Sequence, residues 1–220
     1  MRAGQVLLDL LFPPRCVFCG RVLGSGEREI CAQCQRTLPW LTEEAAEQTG
    51  EFFDKCVSPL RYEGFVRDSI HRYKFKGMSR YAGIYGILTA QCVHDHLAGE
   101  YDLISWVPLS DRRKRERGYD QAFLLAQSAA VNLNDAAVET LRKLRDTEAQ
   151  SGLEHDERRR ANVLGAYVCT DPELVAGKRI LLIDDVITTG STISECARTL
   201  RTAGADKVLC ATLARARAGR

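Results

Sequence analysis

From residue 53 onward, short apolar runs alternate with longer stretches in which apolar side chains recur every three or four positions. The runs at residues 56–62, 103–107, 138–144, 166–169, 180–183 and 208–213 have the length and composition of strands. Residues 65–75, 81–97, 121–131 and 191–203 carry helical spacing. Strands alternating with helices predict an α/β fold built on a doubly wound, mainly parallel sheet of about five or six strands. Such sheets bind ligands at the carboxyl ends of their strands, so the residues that follow each run are where chemistry is expected.

The pattern before residue 53 is different. An apolar run at residues 6–12 is interrupted by Asp9 and stopped by Pro13 and Pro14, which predicts a short amphipathic helix rather than a secretory leader. Residues 13–41 are rich in Cys, Gly, Pro and Arg and lack periodicity, as in a small module with little core of its own. The expected organisation is therefore an N-terminal helix and cysteine module over residues 1–41, a linker over 42–52 and an α/β domain over 53–220. The chain has 220 residues, 45% of them apolar, enough for a substantial core. Its net charge of +2 is too small to draw nucleic acid or lipid by bulk attraction, so such a partner would need a local patch. No window approaches the ~18 apolar residues of a membrane span. Nine cysteines, an odd number with five scattered singly through strand-like and helix-like segments, suit a reducing compartment, and the cytoplasm is expected.

The other four cysteines are patterned. Cys16 and Cys19 form one Cys-x-x-Cys knuckle, and Cys31 and Cys34 form a second after eleven intervening residues. Four thiolates so spaced can close a tetrahedral Zn²⁺ site, whose full coordination leaves a structural or adhesive role rather than a catalytic one. Unrelated reduced thiols or a redox pair are the alternatives. His94 and His96 lie far away at a spacing that does not share a helix face, and both are expected to be exposed.

The most informative stretch is RILLIDDVITTGST, residues 179–192. Four apolar residues of a buried strand run into Asp184 and Asp185, placed where the backbone is expected to leave the sheet. Thr188, Thr189, Gly190, Ser191 and Thr192 then open a helix, so free N–H groups, the positive end of the helix dipole and several hydroxyls converge on one volume. That suits a phosphate. The two carboxylates suit a sugar diol or the waters of Mg²⁺. An ordinary Ser/Thr helix cap is the plain alternative, but it leaves the acid pair unexplained. A nucleoside triphosphatase would need a Gly-x-x-x-x-Gly-Lys-Ser/Thr loop, which the sequence lacks.

These residues resemble the phosphoribosyl pyrophosphate (PRPP) signature of type I phosphoribosyltransferases. The resemblance implies that Asp184 and Asp185 hold the ribose hydroxyls and are the candidate catalytic residues, and that Thr188 through Thr192 hold the 5′-phosphate. A tetracysteine module ahead of such a domain resembles the ComF family, associated with competence and DNA uptake, over nearly the whole chain. The basic segment around Lys74 and Lys76, the Ser110, Arg112, Arg113 and Arg117 stretch with its Gly118–Gln121 sequel, and a mobile loop containing Arg142, Thr147, Gln150, Leu153 and Asn162 resemble further parts of that family. Its loop arginine falls on one of Arg158, Arg159 and Arg160.

The resemblance implies two functions. In one, Mg²⁺-bound PRPP transfers its phosphoribosyl group to an acceptor and releases pyrophosphate. In the other, the same cradle senses PRPP without turnover, or the protein handles single-stranded DNA beside uptake proteins. In that last case the Arg112–Arg117 stretch would contact phosphates, and Tyr73, Phe75 or Tyr119 would stack on bases. A solvated charged face is the plain alternative for the arginines. Any hood that selects a base has to come from residues 1 to about 100, because only a short basic tail follows the last predicted strand.

Overall fold

The computed structural model describes residues 12–145 and 163–217. The expected architecture is present. A six-stranded sheet runs in the order β1 (Glu47–Gln48), β2 (Lys55–Val57), β8 (Lys207–Arg215), β7 (Arg179–Ile187), β4 (Leu103–Trp106), with β3 (Leu60–Arg61) also pairing with β8. All of its pairings are parallel except that of β1 with β2. The long strands β7 and β8 lie at its centre and bury most of their side chains on both faces, which is why residues 180–183 and 208–213 read as largely apolar runs.

Helices cover one face completely and share the other with a small hairpin. On the first, α2 (Gly64–Phe75), α3 (Ala82–Leu97) and α5 (Gln121–Asn132) pack over Ile104, Trp106, Leu181, Ile183 and Leu209. In α2, Val66, Ser69, Ile70 and Tyr73 face inward at the spacing of one helix face. Gly86 lets α3 and α5 approach, because a Cβ there would stand 2.2 Å from Ser128 Oγ. On the second face the short α6 (Pro172–Val175) contributes Val175, and α7 (Ser191–Thr202) sets Ile193, Cys196, Ala197 and Leu200 against Ile180, Leu182, Val208 and Cys210.

Several local expectations are corrected. The strand expected at 56–62 is split into β2 and β3 around Ser58 and Pro59, since proline has no N–H for a ladder; the Ser58 hydroxyl bonds Thr212 Oγ1 at 2.7 Å across the break. The runs at 138–144 and 166–169 add no strand to the main sheet, which the first of them touches through a parallel bridge of Ala137 with Ile104 of β4 and the Val138 N–H donating to Ile104 O at 2.9 Å. They shorten to β5 (Leu141–Lys143) and β6 (Tyr167–Cys169), which form an antiparallel sheet of their own. Thr140, just before β5, is tied to the main sheet by its hydroxyl, 2.7 Å from Ser105 Oγ.

Within the segment expected as a linker, Glu43–Ala46 forms a 3₁₀ turn and Glu47–Gln48 supplies β1. His96 is not exposed as expected. Its Nδ1 lies 2.9 Å from Glu47 Oε1 with 18% of the side chain accessible, while His94 is 73% accessible. The difference follows from β1 folding back beside the end of α3.

The cysteine module is fused to the first face. Arg72 of α2 donates to the carbonyls of Val17 and Phe18, and the Ser69 hydroxyl donates to Val17 O. The Phe18 ring packs against Phe65 and Tyr85 with centroids 6.3 and 6.0 Å away.

Candidate functional site

At the carboxyl end of the sheet, β7 outruns its neighbour. Its pairing with β4 ends at Ile183 opposite Trp106, whereas pairing with β8 continues to Ile187. Asp184 and Asp185 therefore stand inside β7 rather than beyond it, at the point where one flank of the strand becomes free. Adjacent strand residues point to opposite faces, and the acids do so here. Asp185 is buried on the α2 face, where Tyr73, Lys74 and Arg117 feel its charge. Asp184 is half-buried on the other, within electrostatic reach of Tyr167 and Cys196.

Their environments differ accordingly. Lys74 Nζ lies 2.7 Å from Asp185 Oδ1, while Asp185 Oδ2 is buried with no hydrogen-bond partner among the described residues. Burial, followed by the neighbouring Asp185 charge, pushes the Asp184 carboxyl up to about 8, against the pull of Lys74 and of the Asp185 N–H that its Oδ1 accepts at 2.8 Å. Burial alone would lower the Lys74 pKa, but Asp185 and then Asp184 raise it above the ordinary lysine value.

The hydroxyl loop follows directly. Thr188 and Thr189 are exposed, Ser191 and Thr192 half-buried, and Gly190 occupies the N-cap position of α7 with φ +77°, where a side chain would be strained. Gly190 has no side chain to cap the helix with, and Thr189 Oγ1 accepts the Ser191 N–H at a long 3.5 Å. Thr189 Oγ1 and Ser191 Oγ lie 2.9 Å apart and engage each other. Behind Gly190, Ile187 and the Phe53 ring close the floor of the loop at 3.6 and 4.0 Å from where its Cβ would be.

The basic stretch flanks the same edge. Ser110 ends the turn after β4, and its Oγ accepts the Arg113 N–H at 3.4 Å as the N-cap of α4 (Asp111–Arg117). Gly118, at φ +80°, closes α4 in the left-handed conformation that a helix C-cap requires. Asp120 then ties the turn together: one oxygen accepts from Leu109 N at 3.1 Å and lies 3.6 Å from Lys114 Nζ, and the other caps α5 through Phe123 N at 3.2 Å. Arg112 is exposed and pairs with Glu116 at 3.3 Å, Arg113 is half-buried, and Arg117 sits 4.7 Å above the Phe75 ring with its Nη1 buried and unbonded among the described residues.

Of the expected stacking residues, Tyr73 is fully buried with its hydroxyl on Gln121 O, and the half-buried Tyr119 bonds Tyr73 O; Phe75 is 55% exposed. The loop residues Thr147, Gln150, Leu153, Arg158, Arg159, Arg160 and Asn162 lie outside the described residues. Sequence reasoning missed Lys74 as a partner of the acid pair and Asp120 as the brace of the basic turn. The available signal for the first was a lysine following an inward-facing tyrosine near a helix end.

The four patterned cysteines meet. The sulfurs of Cys16, Cys19, Cys31 and Cys34 all lie within 4.8 Å of one another, and those of Cys19 and Cys31 are 3.7 Å apart. Tetrahedral ligation at ~2.3 Å needs sulfurs about 3.8 Å apart, so the cluster fits a closed structural Zn²⁺ site. The Cys31 and Cys34 backbone N–H groups already point at sulfur, at 3.4 and 3.3 Å from Cys16 and Cys31. Burial opposes a Cys31 thiolate, yet the Cys34 N–H, Arg21 and the neighbouring thiols bring its pKa down to about 6. Among the described residues this is the one such cluster.

Two family descriptions match these two regions, the phosphoribosyl transferase domain over residues 119–220 and the double zinc ribbon domain over residues 7–64. The fold and cluster thus define a phosphoribosyltransferase-like protein with an N-terminal zinc ribbon. The chain belongs to the ComF family. It is 39% identical to the DNA utilization protein YhgH of Salmonella typhimurium, over 93% of this chain and 100% of that one. It is 29% identical to competence protein F of Haemophilus influenzae, over 92% and 97% of the two chains. With competence protein ComFC of Streptococcus pneumoniae it shares 27% identity over 85% of this chain and 77% of the other.

Proposed function

We propose that the chain binds PRPP with Mg²⁺ at the carboxyl edge of β7 and serves the DNA utilisation after which its relatives are named. The observation that carries the reading is the glycine start of α7. An ordinary Ser/Thr N-cap would spend its hydroxyl on the N–H groups of the first turn; here the N-cap is Gly190, and among the described residues the one side-chain acceptor at this helix start is Thr189 Oγ1, a long 3.5 Å from the Ser191 N–H, which leaves the next N–H groups to an anion. The 5′-phosphate sits on this end of α7 with the hydroxyls of Thr188, Thr189, Ser191 and Thr192. The ribose lies toward the acid pair, and the pyrophosphate toward Ser110, Arg113 and Arg117.

Mg²⁺ fits the acceptor chemistry of this edge, where a half-buried carboxylate adjoins a buried carboxylate oxygen with no hydrogen-bond partner among the described residues. When bound, it neutralises charge on pyrophosphate. The protein's own share is orientation and anion stabilisation. Hydroxyls and N–H groups fix the phosphate, carboxylates fix the sugar, and guanidinium groups face the leaving pyrophosphate, so attack at C1 needs no protein nucleophile. From the N-terminal half, α2 reaches the acid pair through Lys74.

Calorimetric titration with PRPP in Mg²⁺ tests the reading. Binding that is weakened by Thr189→Val for both PRPP and ribose 5-phosphate is expected, and absence of PRPP binding to the wild type overturns it. Pyrophosphate release in the presence of nucleobases then separates transfer from sensing. A second reading, contact with single-stranded DNA, is favoured by the exposed Arg112 and Arg115 on α4, the helix whose Arg117 lies over the exposed Phe75 ring.

A further inference from the structure

The hairpin β5–β6 carries a cation that the residue pattern alone did not single out. Successive residues of a strand point to opposite sides, and in β5 Leu141 is buried, Arg142 exposed and Lys143 half-buried. β6 repeats the order with Tyr167, Val168 and Cys169, and the register sets Arg142 opposite Val168 and Lys143 opposite Tyr167. Arg142 therefore shares the exposed side of the hairpin with Val168. Lys143 shares the inner side with Tyr167, its ammonium 5.1 Å from the centre of the ring.

That inner side looks onto the site. Tyr167 is buried and lies within electrostatic reach of both Asp184 and Arg113, and Lys143 and Asp184 both reach Cys196 of α7. Glu195 of α7 anchors the hairpin by accepting the Gly165 N–H at 2.7 Å, and Arg198 holds the same carboxylate at 2.7 Å. A Lys–Tyr pair that served only the hairpin would do so equally well on the solvent side, where neither group loses water. Placed inward, it brings a second cation to the wall that Arg113 already approaches, and a ligand with several negative charges gains from both.

We propose that Lys143 is a further binding residue for PRPP and that the group it recognises is the pyrophosphate. The inference deepens the PRPP reading and rests on it. The 5′-phosphate has the start of α7, where hydroxyls and N–H groups are neutral donors. The pyrophosphate carries more charge and calls for cations, which Arg113 supplies from α4 and Lys143 from the hairpin. The face of the Tyr167 ring steadies the ammonium without neutralising it. A lysine suits the place because it delivers a compact charge on a long stem from a strand to a ligand beyond it. Lys143 thereby favours PRPP over ribose 5-phosphate.

Calorimetric titration of wild type, K143M, K143R and R142M with PRPP and with ribose 5-phosphate, both in Mg²⁺, tests this. K143M should lower PRPP affinity about tenfold and leave ribose 5-phosphate within about threefold, a split that a merely loosened hairpin would not give. K143R keeps the charge and should stay within about threefold of the wild type for both ligands. If K143M does not fold, as judged by its melting transition, K143Q takes its place with the same expectation. Equal losses for the two ligands would assign Lys143 to the sugar-phosphate end or to hairpin packing and overturn the inference. A loss on R142M with none on K143M would turn the other side of β5 to the ligand and overturn it too. K143M indistinguishable from a wild type that binds PRPP overturns this inference alone, whereas a wild type that binds no PRPP overturns the underlying reading and this inference with it.

Discussion

At the scale of single residues, the two acids of β7 illustrate how little sequence adjacency says about environment. Asp185 pairs with Lys74 at 2.7 Å, whereas Asp184, desolvated and beside a like charge, is pushed up to about 8. In an unfolded chain an aspartate titrates near ~3.9, so the folded state binds the Asp184 proton more tightly. Its contribution to stability is then fully present below about pH 4 and is lost as pH rises toward 8. In the absence of ligand, Asp184→Asn should therefore gain stability relative to the wild type between pH 5 and pH 8, read as a shift of urea midpoints; a pH-independent difference would contradict the assignment. Ligand acts in the opposite sense. Ribose hydroxyls and the waters of Mg²⁺ donate to an ionised carboxylate, so PRPP affinity should rise from pH 6 to pH 8 in the wild type and lose that dependence in Asp184→Asn.

At the scale of elements, the zinc ribbon and α4 carry separable predictions. Cys31 supplies one of four sulfurs and caps α1 (Ala32–Thr37), so Cys31→Ser should abolish Zn²⁺ retention, measured by elemental analysis. Because Phe18 packs on Phe65 and Tyr85, and Arg72 and Ser69 bond the Val17–Phe18 backbone, the same change should also loosen α2 in hydrogen exchange. Full zinc content after Cys31→Ser would overturn the assignment. For α4, alanine at Arg112, Arg113 and Arg115 should reduce the salt dependence of single-stranded DNA binding by ~0.7 in slope per lost phosphate contact if the helix touches nucleic acid. If it serves pyrophosphate, PRPP affinity falls instead, and a variant unchanged in both returns the arginines to a solvated surface. The sheet and its helices were legible because β7 and β8 are buried on both faces and α2 and α7 on one, so burial writes a period into the chain. The hairpin β5–β6 was not, since a half-buried three-residue strand has the same local pattern whichever sheet it joins. The hydroxyl loop could be read from residue types alone. Its glycine N-cap could not, because whether Ser191 or Gly190 occupies the N-cap depends on one residue of register. Nor could the Lys74–Asp185 contact, which joins residues 111 positions apart in the numbering and is created only when α2 packs on β7.

At the scale of the whole molecule, the site is a junction of otherwise distant pieces: β7 and α7 supply the acids and the anion end, β4 and α4 the basic turn, and α2, braced by the zinc ribbon, the internal cation. A ligand that spans them should therefore stabilise the fold as a unit. If PRPP with Mg²⁺ binds only the folded state, a concentration one hundred times its dissociation constant adds ~2.7 kcal/mol, which for a chain of this length raises the melting temperature by roughly 5–10 °C. Ribose 5-phosphate reaches the hydroxyl loop and acid pair but not the basic turn, and should give a smaller shift. Pyrophosphate with Mg²⁺ reaches the basic turn but not the sugar end and should also give less than PRPP, because two contacts on one ligand share a single cost of immobilisation. Asp184→Asn should shrink the shifts from PRPP and ribose 5-phosphate while leaving that from pyrophosphate, since its carboxylate acts at the sugar. Equal shifts from PRPP and pyrophosphate would mean that the sugar end makes no contribution, and the absence of a shift from PRPP at saturating Mg²⁺ would leave the hydroxyl loop as nothing more than a strand-to-helix turn.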